Sequence, residues 1–254
     1  DGLAMTAQTT GKSKGLDLAA LEELGLVKKR EQGGASGGGH YDLLRHRLIF
    51  PIHDQIGRVV AFGGRKMRDE DEPKYLNSPD SRLFHKSKTM YGLSLAARPV
   101  QQEGFAIVCE GYTDTIALHQ AGFRNAVATL GTALTREHAG MLARLCAKVV
   151  LLFDGDEAGQ RAADRAVEVF FAAPMDVTIV TLATHTDAKD PDELLKREGG
   201  AAVLKKALAA GTDILEYRAA RLRARTRDLG PTARTRAVEE EIERLVELGL
   251  TELP

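Results

Sequence analysis

The sequence predicts an α/β protein: a parallel sheet flanked by helices, preceded by a mixed α+β segment rich in basic residues and followed by a helical tail. Three observations predict it. Short apolar runs such as FAIVC (105–109) and VVLLF (149–153) end in glycine-containing turns instead of continuing with helical period, as buried parallel strands do. From 104 to 200 such runs alternate with helical patterns, which implies βαβ units. Beyond 200, AAVLKKALAAG, DILEYRAARLRARTRD and TRAVEEEIERLVELGL carry helical period alone.

In order, LDLAALEELGLV (16–27) reads as a helix with Leu16, Ala20, Leu21 and Leu24 on one face and Gly25 as its stop. KKREQGGASGGGH (28–40), with five glycines, reads as a flexible loop. RLIFPIHD (47–54) and GRVVAFGGRKM (57–67) read as a hairpin turning near Gly57, and PKYLNSPDSRLFHKSKTMYGL (73–93) as an irregular surface segment. FAIVCE is then a strand, YTDTIALHQAG a helix, NAVATL a strand, and TREHAGMLARLC a helix capped by Thr135. VVLLFD, AGQRAADRAVEVFFAA and MDVTIVTL continue as strand, helix and strand, and DAKDPDELLKREG turns into a helix with Pro191 in its first turn.

The 254 residues suffice for one large or two modest domains, and 43% hydrophobic with 28% charged residues is ordinary soluble composition. No uncharged run approaches the ~20 residues of a membrane span, so a soluble protein is expected, and two cysteines in apolar stretches point to a reducing cytoplasm. Cys109 and Cys146 lie in apolar stretches with no zinc-type spacing, so they read as buried thiols, with no zinc site. The opening at Asp1 and the stop at Thr-Glu-Leu-Pro read as a fragment of a longer protein.

A net charge of −1 comes from 35 basic and 36 acidic residues, so a nucleic-acid binder must concentrate its cations. Ten lie between 41 and 91, opposed outside the DEDE run at 69–72 by Asp42, Asp54 and Asp80 alone. Surface cations are most often only solvated. Arg65 stands out because it follows Gly63-Gly64, where a backbone without Cβ admits a close ligand.

The acids are more specific. Glu110 ends one strand, and Asp154 and Asp156 follow another at i, i+2 spacing. Carboxylates at such strand ends project into the crevice where open α/β sheets bind ligands, and their repulsion calls for a divalent cation, Mg²⁺ or Mn²⁺. Asp190-Pro191-Asp192-Glu193 could add a second ion, and two ions about 3.5–4 Å apart would serve phosphoryl or nucleotidyl transfer. Each signal alone is weak: an Asp at a helix start is a routine cap. Asp187 and Glu157 belong to that class, and Asp114 stands only slightly above it.

EGYTD, followed by DGDEAG and then DPDE, resembles the Toprim domain of topoisomerases and primases, a Rossmann-like parallel sheet. RLIFPIHD, VVAFGGR and PKYLNSPDSRLFHKSKTMYGL resemble the central RNA polymerase domain of bacterial replicative primases, the DnaG family. The resemblance covers roughly residues 40–215, and both ends more loosely. It implies synthesis of short RNA primers on a single-stranded DNA template from NTPs, as part of the primosome. By position, Glu110, Asp154 and Asp156 match the metal-binding catalytic acids, and Asp190 and Asp192 the further acids. Arg65, Lys74, Asn77 and Lys86 match the residues lining the template and nucleotide groove, with Lys88 and Arg45 as auxiliaries.

The resemblance also implies two or more Mg²⁺ or Mn²⁺ ions, and a replicative helicase bound through a C-terminal domain not seen in this sequence. The family's N-terminal zinc domain is likewise not seen, so no zinc is expected here. The domain division expected is a lead-in to 40, a basic subdomain at 41–103, the Toprim domain at 104–200 and a helical subdomain from 201. Two alternatives stay open: a Toprim nuclease or topoisomerase, and a noncatalytic regulatory module binding nucleotides such as (p)ppGpp.

Overall fold

The computed structural model describes residues 3–4, 17–30, 39–154, 157–171, 173 and 175–250. The chain divides into two units, Asp1–Lys86 and Ser87–Pro254.

In the first unit the Asp17 carboxylate caps α1 (Leu18–Glu23) by accepting the Ala19 N–H, and Gly25, at φ 65°, ends it as the sequence indicates. The helix is shorter than 16–27, because Val27 already opens β1 (Val27–Lys29). β1 pairs antiparallel with β2 (His40–Asp42), so the ends of the expected 28–40 loop are strand; residues 31–38 of it lie outside the described residues.

The hairpin forms from β3 (Arg47–His53) and β4 (Val59–Lys66). Its turn is held by the Asp54 carboxylate, which accepts from the N–H groups of Ile56 and Arg58 and from Arg58 Nε. A third strand, β5 (Tyr75–Asn77), pairs with the other side of β4. The sequence reads this stretch as irregular because three residues, Tyr75-Leu76-Asn77, between Pro73 and Pro79 are too few to show a strand's alternation. The partner strand specifies it, and buried Ser78 extends the pairing by exchanging hydrogen bonds with the Phe62 backbone.

The second unit holds α2 (Leu93–Glu103), β6 (Phe105–Cys109), α3 (Tyr112–Gln120), β7 (Ala126–Ala128), α4 (Arg136–Ala143), β8 (Lys148–Phe153), α5 (Glu157–Phe171) and β9 (Asp176–Thr181). After these come α6 (Pro191–Leu195), α7 (Gly200–Ala209), β10 (Thr212–Asp213), α8 (Ile214–Arg225) and α9 (Pro231–Leu250). The sheet runs β10-β9-β8-β6-β7, parallel except for β10, which adds antiparallel to β9.

Successive strand residues point to opposite faces, and both faces are covered, which is why the runs read as continuously apolar. Ala106, Val108, Val149, Leu151 and Phe153 pack with Leu93 and Val100 of α2, Leu142 of α4 and Val167 and Phe170 of α5. Ile107, Cys109, Val150 and Leu152 pack with Leu118 of α3, Leu194 of α6 and Leu204 of α7. The unit is therefore a three-layer α/β/α sandwich.

Three elements fix its loops. Thr135 caps α4, its Oγ1 accepting the His138 N–H while His138 Nδ1 accepts the Thr135 N–H. The Thr135 hydroxyl also donates to Ser87 O, and the buried His138 ring meets Thr89 O at 3.2 Å, fastening the 87–89 segment. Tyr91 bridges to Ala128 beside β7 and lies edge-on to Tyr112, ring centroids 4.6 Å apart. Cys109 and Cys146 are buried free thiols. Among the described residues, no helix is long and apolar enough to cross a membrane.

Candidate active site

β6 and β8 are neighbours in the sheet, but β6 leads by way of α3 to β7 on one side and β8 by way of α5 to β9 on the other. That divergence is the switch point at whose carboxyl ends open α/β sheets hold ligands. Glu110 directly follows β6 and Asp154 directly follows β8. The Asp154 backbone N–H donates to Glu110 Oε1 at 3.3 Å, so the two strand ends meet. A Cβ at Gly159 would stand 2.5 Å from the Asp154 carbonyl oxygen; glycine is what lets α5 approach the Asp154 backbone. Asp156 lies outside the described residues.

The structure adds a residue that the sequence leaves nearly among the routine caps. Asp114, in the first turn of α3, is only 6% exposed. Burial, and then the charge of Asp190, raise its pKa from 3.8 to about 6; Asp192 and Glu110 add to the rise, and a hydrogen bond from the Asp192 backbone opposes it. Asp114 lies in the first turn of the helix that starts just after Glu110, and this closeness in EGYTD is the signal that both carboxylates stand at one end of the sheet. A Cβ at Gly111 would sit 3.1 Å from Asp114 Oδ2.

Asp190 and Asp192 stand beside Asp114 electrostatically, and each also has structural work. Asp190 Oδ1 accepts the Glu193 N–H at 2.7 Å as the cap of α6, with Pro191 in the first turn. Asp192 Oδ2 accepts from Lys196 Nζ at 2.7 Å.

Among the described residues, no three Asp, Glu, His or Cys side chains stand as a preformed metal cage. The donors nonetheless suit a hard divalent cation: they are carboxylate oxygens, and Asp114 carries the mark of like charges that a cation would offset. Cys109 supplies no thiolate. Burial pushes its thiol well above the usual range, the charges of Asp114 and Asp154 push it further, and Sγ lies 3.3 Å from Thr115 Oγ1. A cleft of ≈ 310 Å³ adjoins Glu110, lined by Thr129, Thr132, Phe153, Ala162 and Arg165.

The expected basic residues lie mostly in the first unit. Arg65 is paired with Tyr75 and Gly63 with Asn77, so Arg65, Tyr75 and Asn77 share one face of the β3-β4-β5 sheet. Phe50 and Ile52 bury one end of that face; Leu48, Arg65 and Tyr75 emerge at the other. Arg65 Cζ is 5.7 Å and Lys74 Nζ 5.8 Å from the centre of the Tyr75 ring, and Arg45 lies 4.4 Å over the Tyr41 ring. The Lys86 N–H donates to Asp80 Oδ1, while Lys88 is exposed in the second unit. The space expected for a ligand at Gly64 is filled from within: a Cβ there would meet Arg47 Cδ at 3.0 Å and Leu44 Cδ2 at 3.1 Å.

Comparison with known proteins agrees with this geometry. Residues 4–97 match the family model "DNA primase catalytic core, N-terminal domain", and 107–195 the model "Toprim-like". A DNA primase of Clostridium acetobutylicum is 41% identical over 207 residues, covering 82% of this chain and 33% of that protein. A DNA primase domain from Pseudomonas aeruginosa superposes with a TM-score of 0.72 at 33% identity, covering 91% of this chain and 79% of that one. A DnaG primase catalytic domain bound to ssDNA gives 0.81 at 31% identity, covering 96% and 76%. The chain spans about a third of the length of the curated relatives it matches. Its matches in sequence and in structure, together with acids gathered at the sheet's switch point, place the chain in the DnaG family of DNA primases, as part of the catalytic core.

Proposed function

We propose that this chain is the nucleotidyl-transfer core of a primase, which joins ribonucleotides on a single-stranded DNA template. The observation that carries the reading is the gathering of Glu110, Asp190 and Asp192 about Asp114, with Glu110 Oε1 accepting the Asp154 N–H where the neighbouring strands β6 and β8 end. Glu110, Asp154 and Asp156 would hold the first divalent cation, and Asp190 and Asp192 would help hold a second. Bound Mg²⁺ or Mn²⁺ would supply activation of the 3′-hydroxyl and neutralisation of the leaving pyrophosphate.

The chain's own side chains do the rest. Asp114, buried among the acids, sets how much negative charge the centre carries at a given pH. Arg65, Lys74 and Lys86, with Arg45 and Lys88 as auxiliaries, would bind the phosphates of template and NTP; Asn77 would hydrogen-bond beside them. The Tyr75 ring, with Arg65 and Lys74 at 5.7 and 5.8 Å from its centre, would offer a surface on which a base can stack beside those cations. Single-stranded DNA, NTPs and the growing RNA primer are the partners in this reading. A replicative helicase would be the partner of the full-length protein, and (p)ppGpp a regulatory ligand of the same centre.

The test is template-directed incorporation. With Mn²⁺ or Mg²⁺ and an annealed RNA primer, labelled ATP should be incorporated on oligo(dT) and labelled UTP on oligo(dA), each only with its complement. NTP retention without incorporation on any template would refute the polymerase reading and favour a nucleotide-binding module.

A further inference from the structure

Arg197, just past α6, grips two acids behind it. Nη1 donates to Asp187 Oδ1 and Nη2 to Glu193 Oε1, each at 2.5 Å. The other Glu193 oxygen accepts the Lys189 N–H at 3.3 Å, and the Glu193 N–H reaches Asp190 Oδ1 at 2.7 Å. One planar guanidinium thus closes the segment 187–197 on itself, with Asp190 and Asp192 inside the closed loop. The hydrogen bonds to Arg197 hold the Asp187 and Glu193 carboxyls below their ordinary values, and Asp187, in turn with Glu193, raises Arg197.

The groups are solvated, so either ion pair alone contributes little to stability. Two pairs on one rigid fork do something else: they fix the orientation of what lies between them. Lys196, the neighbouring cation, pairs instead with Asp192 itself.

We propose that Arg197 is a positioning residue of the acidic centre, holding the 187–193 turn so that Asp190 and Asp192 already stand at Asp114 when a divalent cation arrives. The inference rests on the reading of that centre as a cation site. It makes the Asp187 and Glu193 side chains parts of a clamp, although neither is among the acids matched by position to the family's metal ligands.

Charge and positioning predict opposite signs. Removing a cation near carboxylates strengthens binding of a divalent cation by itself. Lys196→Gln removes such a charge and leaves the Arg197 clamp whole, so Mn²⁺ should bind the 254-residue chain as tightly as wild type or more so, measured by paramagnetic resonance of free Mn²⁺. Arg197→Gln removes the same charge but should weaken Mn²⁺ binding about tenfold, the lower end of what losing a group that orients metal ligands costs. Arg197→Lys, which keeps the charge without the fork, should fall between.

A metal-free arm reads the clamp directly: in Arg197→Gln the amides of 188–194 should exchange faster with deuterium, while those of β6 and β8 stay as in wild type. Equal or tighter Mn²⁺ binding by Arg197→Gln, or unchanged exchange at 188–194, would overturn the proposal. A wild-type chain that binds no Mn²⁺ would overturn the cation-site reading itself, and this inference with it.

Discussion

Asp114→Asn tests the electrostatics of the centre without deleting a strand-end acid. The side chain keeps its shape, and its carbonyl oxygen can still accept the hydrogen bond from the Asp192 backbone. What it loses is a charge that burial and Asp190 disfavour, with Asp192 and Glu110 adding to the effect. A rise from 3.8 to about 6 at 1.36 kcal/mol per pH unit amounts to about 3 kcal/mol of unfavourable charging, taken as an upper value. The sign follows from linkage: the folded state holds the proton more tightly than the unfolded chain, so stability is lost as pH rises from 3.8 through about 6 and stays lost above.

Metal-free Asp114→Asn should therefore be more stable than wild type at pH 8, by up to about 3 kcal/mol, and the difference should vanish near pH 4. Urea titrations read by amide exchange in β6 and β8 isolate the second unit from the first. Added Mg²⁺ should reverse the order at pH 8, because the cation offsets in wild type the repulsion that asparagine has already removed. Equal or lower stability of Asp114→Asn at pH 8 without metal would refute the reasoning.

Two further perturbations probe neighbouring parts of the account. Gly159→Ala places a Cβ 2.5 Å from the Asp154 carbonyl oxygen, so it should destabilise the second unit by about 1–3 kcal/mol and weaken Mn²⁺ binding by moving α5 off Asp154; unchanged urea midpoint and Mn²⁺ affinity would contradict this. Arg65→Ala should lower affinity for single-stranded DNA alike across sequences, and reduce the slope of log affinity against log salt by about 0.7, read by fluorescence anisotropy; an unchanged slope would remove Arg65 from the phosphate contacts.

The sandwich was legible because buried parallel strands and their helices follow the two simplest periods. The caps were legible too: Thr135, Gly25 and Pro191 stand where those residue types satisfy helix ends. Elements whose conformation is set by a distant partner were not. Tyr75–Asn77 and Thr212–Asp213 are strands because β4 and β9 offer free edges, and α2 carries Pro99, a residue that argues locally against a helix although Leu93, Ala96 and Val100 bury its face.

The site shows the same division. Glu110 and Asp154 could be placed from strand ends alone. The centrality of Asp114 could not, because a helix-start acid has a common structural explanation, and only the fold brings Asp190 and Asp192 up to it. Of the Gly63-Gly64 pair read as room for a ligand beside Arg65, Gly64 makes room for Arg47 and Leu44.

The central claim is that the acids at the ends of β6 and β8 carry nucleotidyl transfer. Glu110→Gln tests it most directly, since it removes one charge and leaves an oxygen able to accept the Asp154 N–H. In a single-turnover extension of an annealed RNA primer with Mg²⁺, the variant should fold as wild type and lose at least about 100-fold in rate, the scale on which removing a charge-stabilising group acts. Extension by Glu110→Gln within a few-fold of an active wild type would contradict the account.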